Sequence, residues 1–100
     1  MTKRQMIATK IISSEEYCIK AYYFVTCNSL HIRDRVINAY GLAIEQSQDK
    51  GNGDICFTDE KTHYFLFSRD EAARLAHRLE NLEVTPLGLF PSLSELIEDF

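Results

Sequence analysis

Glycine and proline are scarce in this sequence, with four and two respectively in 100 residues, while 11% of the side chains are aromatic. That combination excludes a disordered or collagen-like chain. Cysteine is sparse too. Cys18, Cys27 and Cys56 are odd in number and have no Cys-x-x-Cys spacing, so neither a disulfide framework nor a paired-cysteine metal site is indicated, and a reduced, cytoplasmic compartment is the expectation. Long apolar runs are missing as well. The longest strongly apolar stretch, residues 21–25, is far too short to span a bilayer, and Lys3 and Arg4 are followed by no apolar run of signal-peptide length. Basic residues are outnumbered, 11 against 15 acidic ones, for a net charge of −4. That balance argues against direct nucleic-acid binding, whose affinity comes largely from cations meeting phosphates.

What is present is one core's worth of apolar residues, 45% of the chain, enough for a single small domain spanning residues 1–100. Residues 1–67 read as strands. Residues 5–12 are rich in isoleucine and threonine, with Ile7, Thr9 and Ile11 alternating against Met6, Ala8 and Ile12. Residues 17–26 form the clearest strand, placing Ile19, Ala21, Tyr23 and Val25 on one face and Cys18, Lys20, Tyr22 and Phe24 on the other. Residues 28–34 read as a polar connection. A third strand covers residues 35–46, where Gly41 suggests a bulge or a close backbone approach. The glycine and asparagine around residues 49–53 signal a turn. Residues 54–58 and 62–67 then read as a hairpin around Asp59, Glu60 and Lys61.

Residues 68–100 read as helical. Ser68 and Glu71 form a capping box before an apolar face of Ala72, Leu75, Ala76, Leu79 and Leu82. Thr85-Pro86 is the expected stop, since the residue before proline is pushed out of the α region. A second capping box, Ser92 with Glu95, opens a short helix carrying Leu93, Leu96, Ile97 and Phe100. The expected fold is α+β: an antiparallel β-meander of four or five strands followed by two C-terminal helices packed on one face.

Catalytic and metal-binding patterns are weak. Cys27 and His31, with Cys56 and His63, lack the clustered spacing of structural zinc sites. No glycine-flanked nucleophile is present, and nothing supplies an oxyanion hole beside Cys27 and His31. The carboxylate pairs Glu15-Glu16 and Asp59-Glu60 fall in expected turns, where acids mostly solvate a loop. Lys20-Ala21-Tyr22-Tyr23-Phe24-Val25 loosely echoes the aromatic strand of RNA-recognition sheets, but Tyr23 stands where a small residue is expected. These patterns point away from an enzyme and imply no cofactor and no metal.

Charge distribution is more informative. Residues 1–35 carry a net +3 and residues 36–100 a net −7. Glu98, Asp99 and the terminal carboxylate sit at the C-terminal end of the last helix, against its dipole, and invite a cation, with Glu95 of the same helix as a further acidic candidate. Tyr22 and Phe24 form a second candidate surface if the helices cover only one sheet face. These five residues are the candidate protein-binding site.

The run Tyr40-Gly41-Leu42-Ala43-Ile44, then Phe67-Ser68-Arg69-Asp70, Leu82-Glu83-Val84-Thr85-Pro86 and Leu96-Ile97-Glu98-Asp99-Phe100, resembles a family of small uncharacterised Gram-positive bacterial proteins, a domain of unknown function. In that family a YGI-like strand precedes a helix, a V-x-P turn and an acidic tail. The chain departs from the pattern at residues 87–92, which look like an insertion. The resemblance implies the fold and a bacterial or phage origin, and no activity. The function expected is that of a small non-enzymatic binding or regulatory protein acting stoichiometrically on a protein partner, with a basic partner favoured by the acidic back half. A phage-type inhibitor of a nucleic-acid-binding bacterial defence protein, anti-CRISPR-like, is one form of it. A small-ligand sensor with a pocket near Tyr23, Tyr40, His63 and Tyr64 is the alternative, and a structural homodimer is a third. No membrane association is expected.

Overall fold

The computed structural model describes residues 3–13, 18–49, 55–62, 66 and 68–98. Four antiparallel strands, β1 (Lys3–Ser13), β2 (Cys18–Ile32), β3 (Arg35–Asp49) and β4 (Ile55–Lys61), lie side by side in chain order, and two helices, α1 (Arg69–Asn81) and α2 (Leu89–Glu98), follow. The meander and its order follow from short connections, which cannot carry a parallel crossover. No helix among the described residues is long and apolar enough to cross a membrane.

The alternation in β2 is realised as read. Ala21, Tyr23 and Val25 turn toward the helices and join Leu42 and Ile44 of β3 in the core, against Ala72, Leu75, Ala76 and Leu79 of α1. Val84, Leu89, Leu93 and Leu96 close it from the C-terminal segment. Burying both stripes supplies the stability that a 13-residue and a 10-residue helix would lack alone.

Several local expectations are corrected. The irregularity falls in β1, where the register shifts between Met6, opposite Phe24, and Ala8, opposite Tyr23. Ile7 is the extra residue, so side-chain parity changes along the strand and Ile7, Ala8 and Ile12 all pack toward the core. Across Gly41 the β2–β3 register is unbroken. Asp59, Glu60 and Lys61 lie in β4, paired with Glu45, Ile44 and Ala43, instead of turning a hairpin. Adjacent strand residues face opposite ways, so Asp59 and Glu60 are not a carboxylate pair. Beyond them Leu66 alone bridges to Tyr40, and residues 63–65 and 67, like residues 14–17 and 50–54 of the expected turns, lie outside the described residues.

Helix α1 starts as expected, with the Ser68 hydroxyl accepting from the Glu71 backbone N–H at 3.4 Å. Its end comes before Thr85-Pro86. Glu83 takes a left-handed φ of 56°, its N–H donates to the Glu80 carbonyl, and the Val84 N–H donates to the Leu79 carbonyl, both at 3.0 Å. This is a Schellman closure with glutamate where glycine is usual. It turns Leu82 outward, so that residue leaves the apolar stripe. Pro86 then opens a 3₁₀ turn (Pro86–Gly88), and α2 begins at Leu89, upstream of the expected capping serine. Ser92 therefore sits inside the helix, and the apparent insertion at residues 87–92 is structured.

Candidate interaction surface

Both helices pack on one face of the sheet, leaving the other without a helical cover. That uncovered face is nevertheless not a bare aromatic patch. Phe24, Thr26 and Ala43 are buried there, and Arg4 lies over Phe24. Its guanidinium sits 4.3 Å from the Phe24 ring centroid and pairs with the Glu45 carboxylate, a cation–π contact and an ion pair sharing one side chain. Lys20 similarly sits 5.4 Å from the ring of the half-buried Tyr22. Beside this lid runs a shallow groove of about 330 Å³ lined by Lys3, Arg4, Thr26, Glu45, Asp59 and Lys61. The Thr26 hydroxyl is buried without a hydrogen-bond partner.

The sequence-derived residues are thus dispersed. Tyr22 is half-buried and Phe24 is covered by Arg4, so Phe24 is corrected from an exposed contact to a lidded one. Glu95 is exposed on the outer side of α2, on the opposite side of the sheet. Glu98 belongs to α2 with its side chain outside the described residues, as is the whole of Asp99. Among the described residues, the acidic candidate Glu95 is not brought together with Tyr22 and Phe24.

The most protruding feature is one the sequence reading took for a loop. Beyond the pairing of Lys3 with Cys27, β2 and β3 continue, among the described residues, as a two-stranded arm, Asn28 to Ile32 against Arg35 to Ala39. Five paired positions at about 3.4 Å each carry it roughly 17 Å past the described end of β1, and the molecule is correspondingly long, 54 × 31 × 17 Å. Only Arg33 and Asp34 separate the strands. Arg33 adopts a φ of 57°, a conformation that usually selects glycine or asparagine in a two-residue hairpin. An Arg-Asp turn gives no such signal, which explains why the arm was missed. The signal that was available is Ile32, Val36 and Ile37 flanking that dipeptide. At the tip Ile32 is 51% and Val36 62% exposed, with His31, Arg33 and Arg35 also exposed around them.

On the helix side, a cleft of about 330 Å³ lies between the start of α1 and the sheet, lined by Lys3, Gln5, Cys27, Tyr40 and Arg69. Arg69 is held there by donating to the Gln5 side-chain carbonyl. Tyr23, by contrast, lines neither this cleft nor the groove beside Arg4. Its hydroxyl donates to the Val84 carbonyl at 2.7 Å, and burial, with the Glu80 and Glu83 carboxylates adding to it, pushes the phenol up to about 12. This is a structural tether between sheet and Schellman turn. His63 and Tyr64 lie outside the described residues.

Cys18 and Cys27 are free thiols, and among the described residues no three His, Cys, Asp or Glu side chains converge to hold a metal. No family model matches the chain, and no curated protein or solved structure matches it either.

Proposed function

We propose that the protein is a non-enzymatic binding protein that acts stoichiometrically on a protein partner, with the β2–β3 arm as its principal contact. The observation that carries this reading is the exposure of Ile32 and Val36 at the end of a protruding two-stranded arm. Apolar side chains held out on an arm contribute nothing to the protein's own core, whereas at an interface they bury area against a partner. The arginines around them supply steering and register. A regulatory or inhibitory role belongs to the same reading, and a basic surface of the partner would meet not the arginine-bearing arm but residues 79–100, which hold five acids and no basic residue.

Photo-crosslinking residues placed in turn at positions 32, 36 and, as a control, 74 on α1 test it. The expected result is a defined protein adduct from positions 32 and 36 only. Val36→Ser combined with the crosslinker at position 32, and Ile32→Ser combined with the crosslinker at position 36, each weaken that adduct while the unfolding free energy stays within about 0.5 kcal/mol of the parent, as for surface substitutions generally. Undiminished capture by both variants refutes the arm as the contact.

A second reading, a sensor for a small anionic ligand, draws on the Lys3, Tyr40 and Arg69 cleft, whose lining holds three cationic residues, Lys3, Arg4 and Arg69, and no carboxylate. Stabilisation by inorganic phosphate or a dicarboxylate that is abolished by Arg69→Ala would favour it.

A further inference from the structure

We infer that the two ends of this molecule are complementary between copies: the β2–β3 arm of one copy docks on the Leu82–Phe90 end of a second, and the pair closes reciprocally. The inference rests on the protein-binding reading and names the occupant of the arm as this chain itself.

The two surfaces match in chemistry. On the arm Ile32 shares one face with Arg35 and Val36 the other with His31, and Arg33 and Asp34 form the turn, Asp34 being the single acid. At the other surface Leu82, Leu87 and Phe90 are exposed, Leu87 at 88%. Glu83 and Glu95 of the same segment are also exposed, and Glu83 meets Lys10 at 3.8 Å. No lysine, arginine or histidine occurs anywhere in residues 79–100. With Lys10 counted, this end keeps an excess of one carboxylate beside its exposed apolar side chains, against the arm's excess of one cation from Arg33, Asp34 and Arg35.

The fold keeps the two surfaces apart within one copy. The arm begins where Lys3 pairs with Cys27. Glu83 instead reaches Lys10, at 3.8 Å, seven residues further along β1 from the arm. The 3₁₀ turn carrying Leu87 packs on β3 and β4, and β4 pairs only with Ala43 to Asp49, the portion of β3 remote from the arm. A rigid two-stranded arm cannot fold back over that length, so its own acidic end is out of reach. In an antiparallel pair each arm meets the other copy's acidic end. The contact is then made twice about a two-fold axis, bringing the total toward the roughly 800 Å² per partner typical of stable interfaces.

Sedimentation velocity on the full chain, from micromolar to near-millimolar concentration, tests this. The expected result is a monomer–dimer equilibrium that weakens roughly tenfold or more between about 0.05 M and about 0.5 M salt, where exposed charges are screened. Arg33→Glu/Arg35→Glu and Glu83→Lys/Glu95→Lys should each be monomeric alone. Mixed in equal amounts they should form a heterodimer, because each reversed arm then faces a reversed end and each parental arm a parental end. Leu87→Ser/Phe90→Ser, which leaves every charge in place, should also be monomeric, and circular dichroism checks that each variant is folded. A monomer at every concentration overturns the inference, even if crosslinking through position 36 captures another protein, in which case the binding reading stands alone. A dimer that survives the arm substitutions, ignores salt, or is not restored in the mixture also overturns it.

Discussion

Strand β2 offers a comparison within four residues. Tyr23 and Val25 on one face and Phe24 and Thr26 on the other are all buried, yet by different means. On the helical side, burial comes from Leu75, Leu79 and Val84 packed over the strand, and the one polar atom involved, the Tyr23 hydroxyl, is satisfied by a backbone carbonyl. On the uncovered side, Phe24 is closed over by the long side chain of Arg4, itself half-exposed and tethered to Glu45, and the Thr26 hydroxyl is left without a partner. A helix packed across two strands cannot be removed without unfolding the domain. A single charged side chain can swing away at the expense of one ion pair and one cation–π contact, each worth about 1 kcal/mol or less when exposed. Equal burial thus conceals unequal permanence.

The largest test of that difference is Leu75→Ala, which removes helix-side packing at a position 2% exposed. It should cost about 3 kcal/mol in a urea unfolding measurement, within the range for buried leucines. Tyr23→Phe comes next. It leaves the Val84 carbonyl without its donor and should cost about 1–2 kcal/mol. It also changes the alkaline limb. The phenol, ordinarily near 10, is raised to about 12. The folded state therefore keeps a proton that the unfolded chain releases, and the associated stability is complete below pH 10 and lost as pH rises toward 12. Unfolding midpoints across that window should fall less steeply in Tyr23→Phe than in the parent. The smallest effect is expected from Arg4→Ala, about 1 kcal/mol, accompanied by faster amide exchange around Phe24 with the helical side unchanged. A loss as large as that of Leu75→Ala would erase the distinction between the two faces.

Legibility from sequence tracked how local the determining physics is. Period-two alternation in β2 and β3 and the Ser68 cap depend on near neighbours, and the structure realises both. Leu82 matched the helical stripe but was turned outward by a Schellman closure built on Glu83, a residue with no intrinsic preference for that backbone. Ile7 and Ile11 looked equivalent, yet one extra residue opposite β2 puts Ile7 toward the core and leaves Ile11 exposed. The candidate surface suffered most. Phe24 looked available because nothing local to it predicts Arg4, twenty residues away in sequence and directly above its ring in space. The arm was hidden by its unmarked Arg-Asp turn.

The charge split shows the same division. Its arithmetic, +3 ahead of −7, was evident from the chain alone, but its meaning depended on pairing. The fold joins Arg4 to Glu45 and Lys10 to Glu83, so part of the contrast is neutralised internally, while His31, Arg33 and Arg35 are carried to one extremity. Composition and periodicity alone determined an α+β fold with an antiparallel meander of four or five strands and a helical end, because hydrophobic spacing and backbone propensity act over a few residues. Which apolar side chains stay exposed, which cations are already paired, and that the basic arm and the acidic end stand apart were decided only by tertiary structure. Those properties belong to distances between residues far apart in the chain, and strand register and helix placement set those distances.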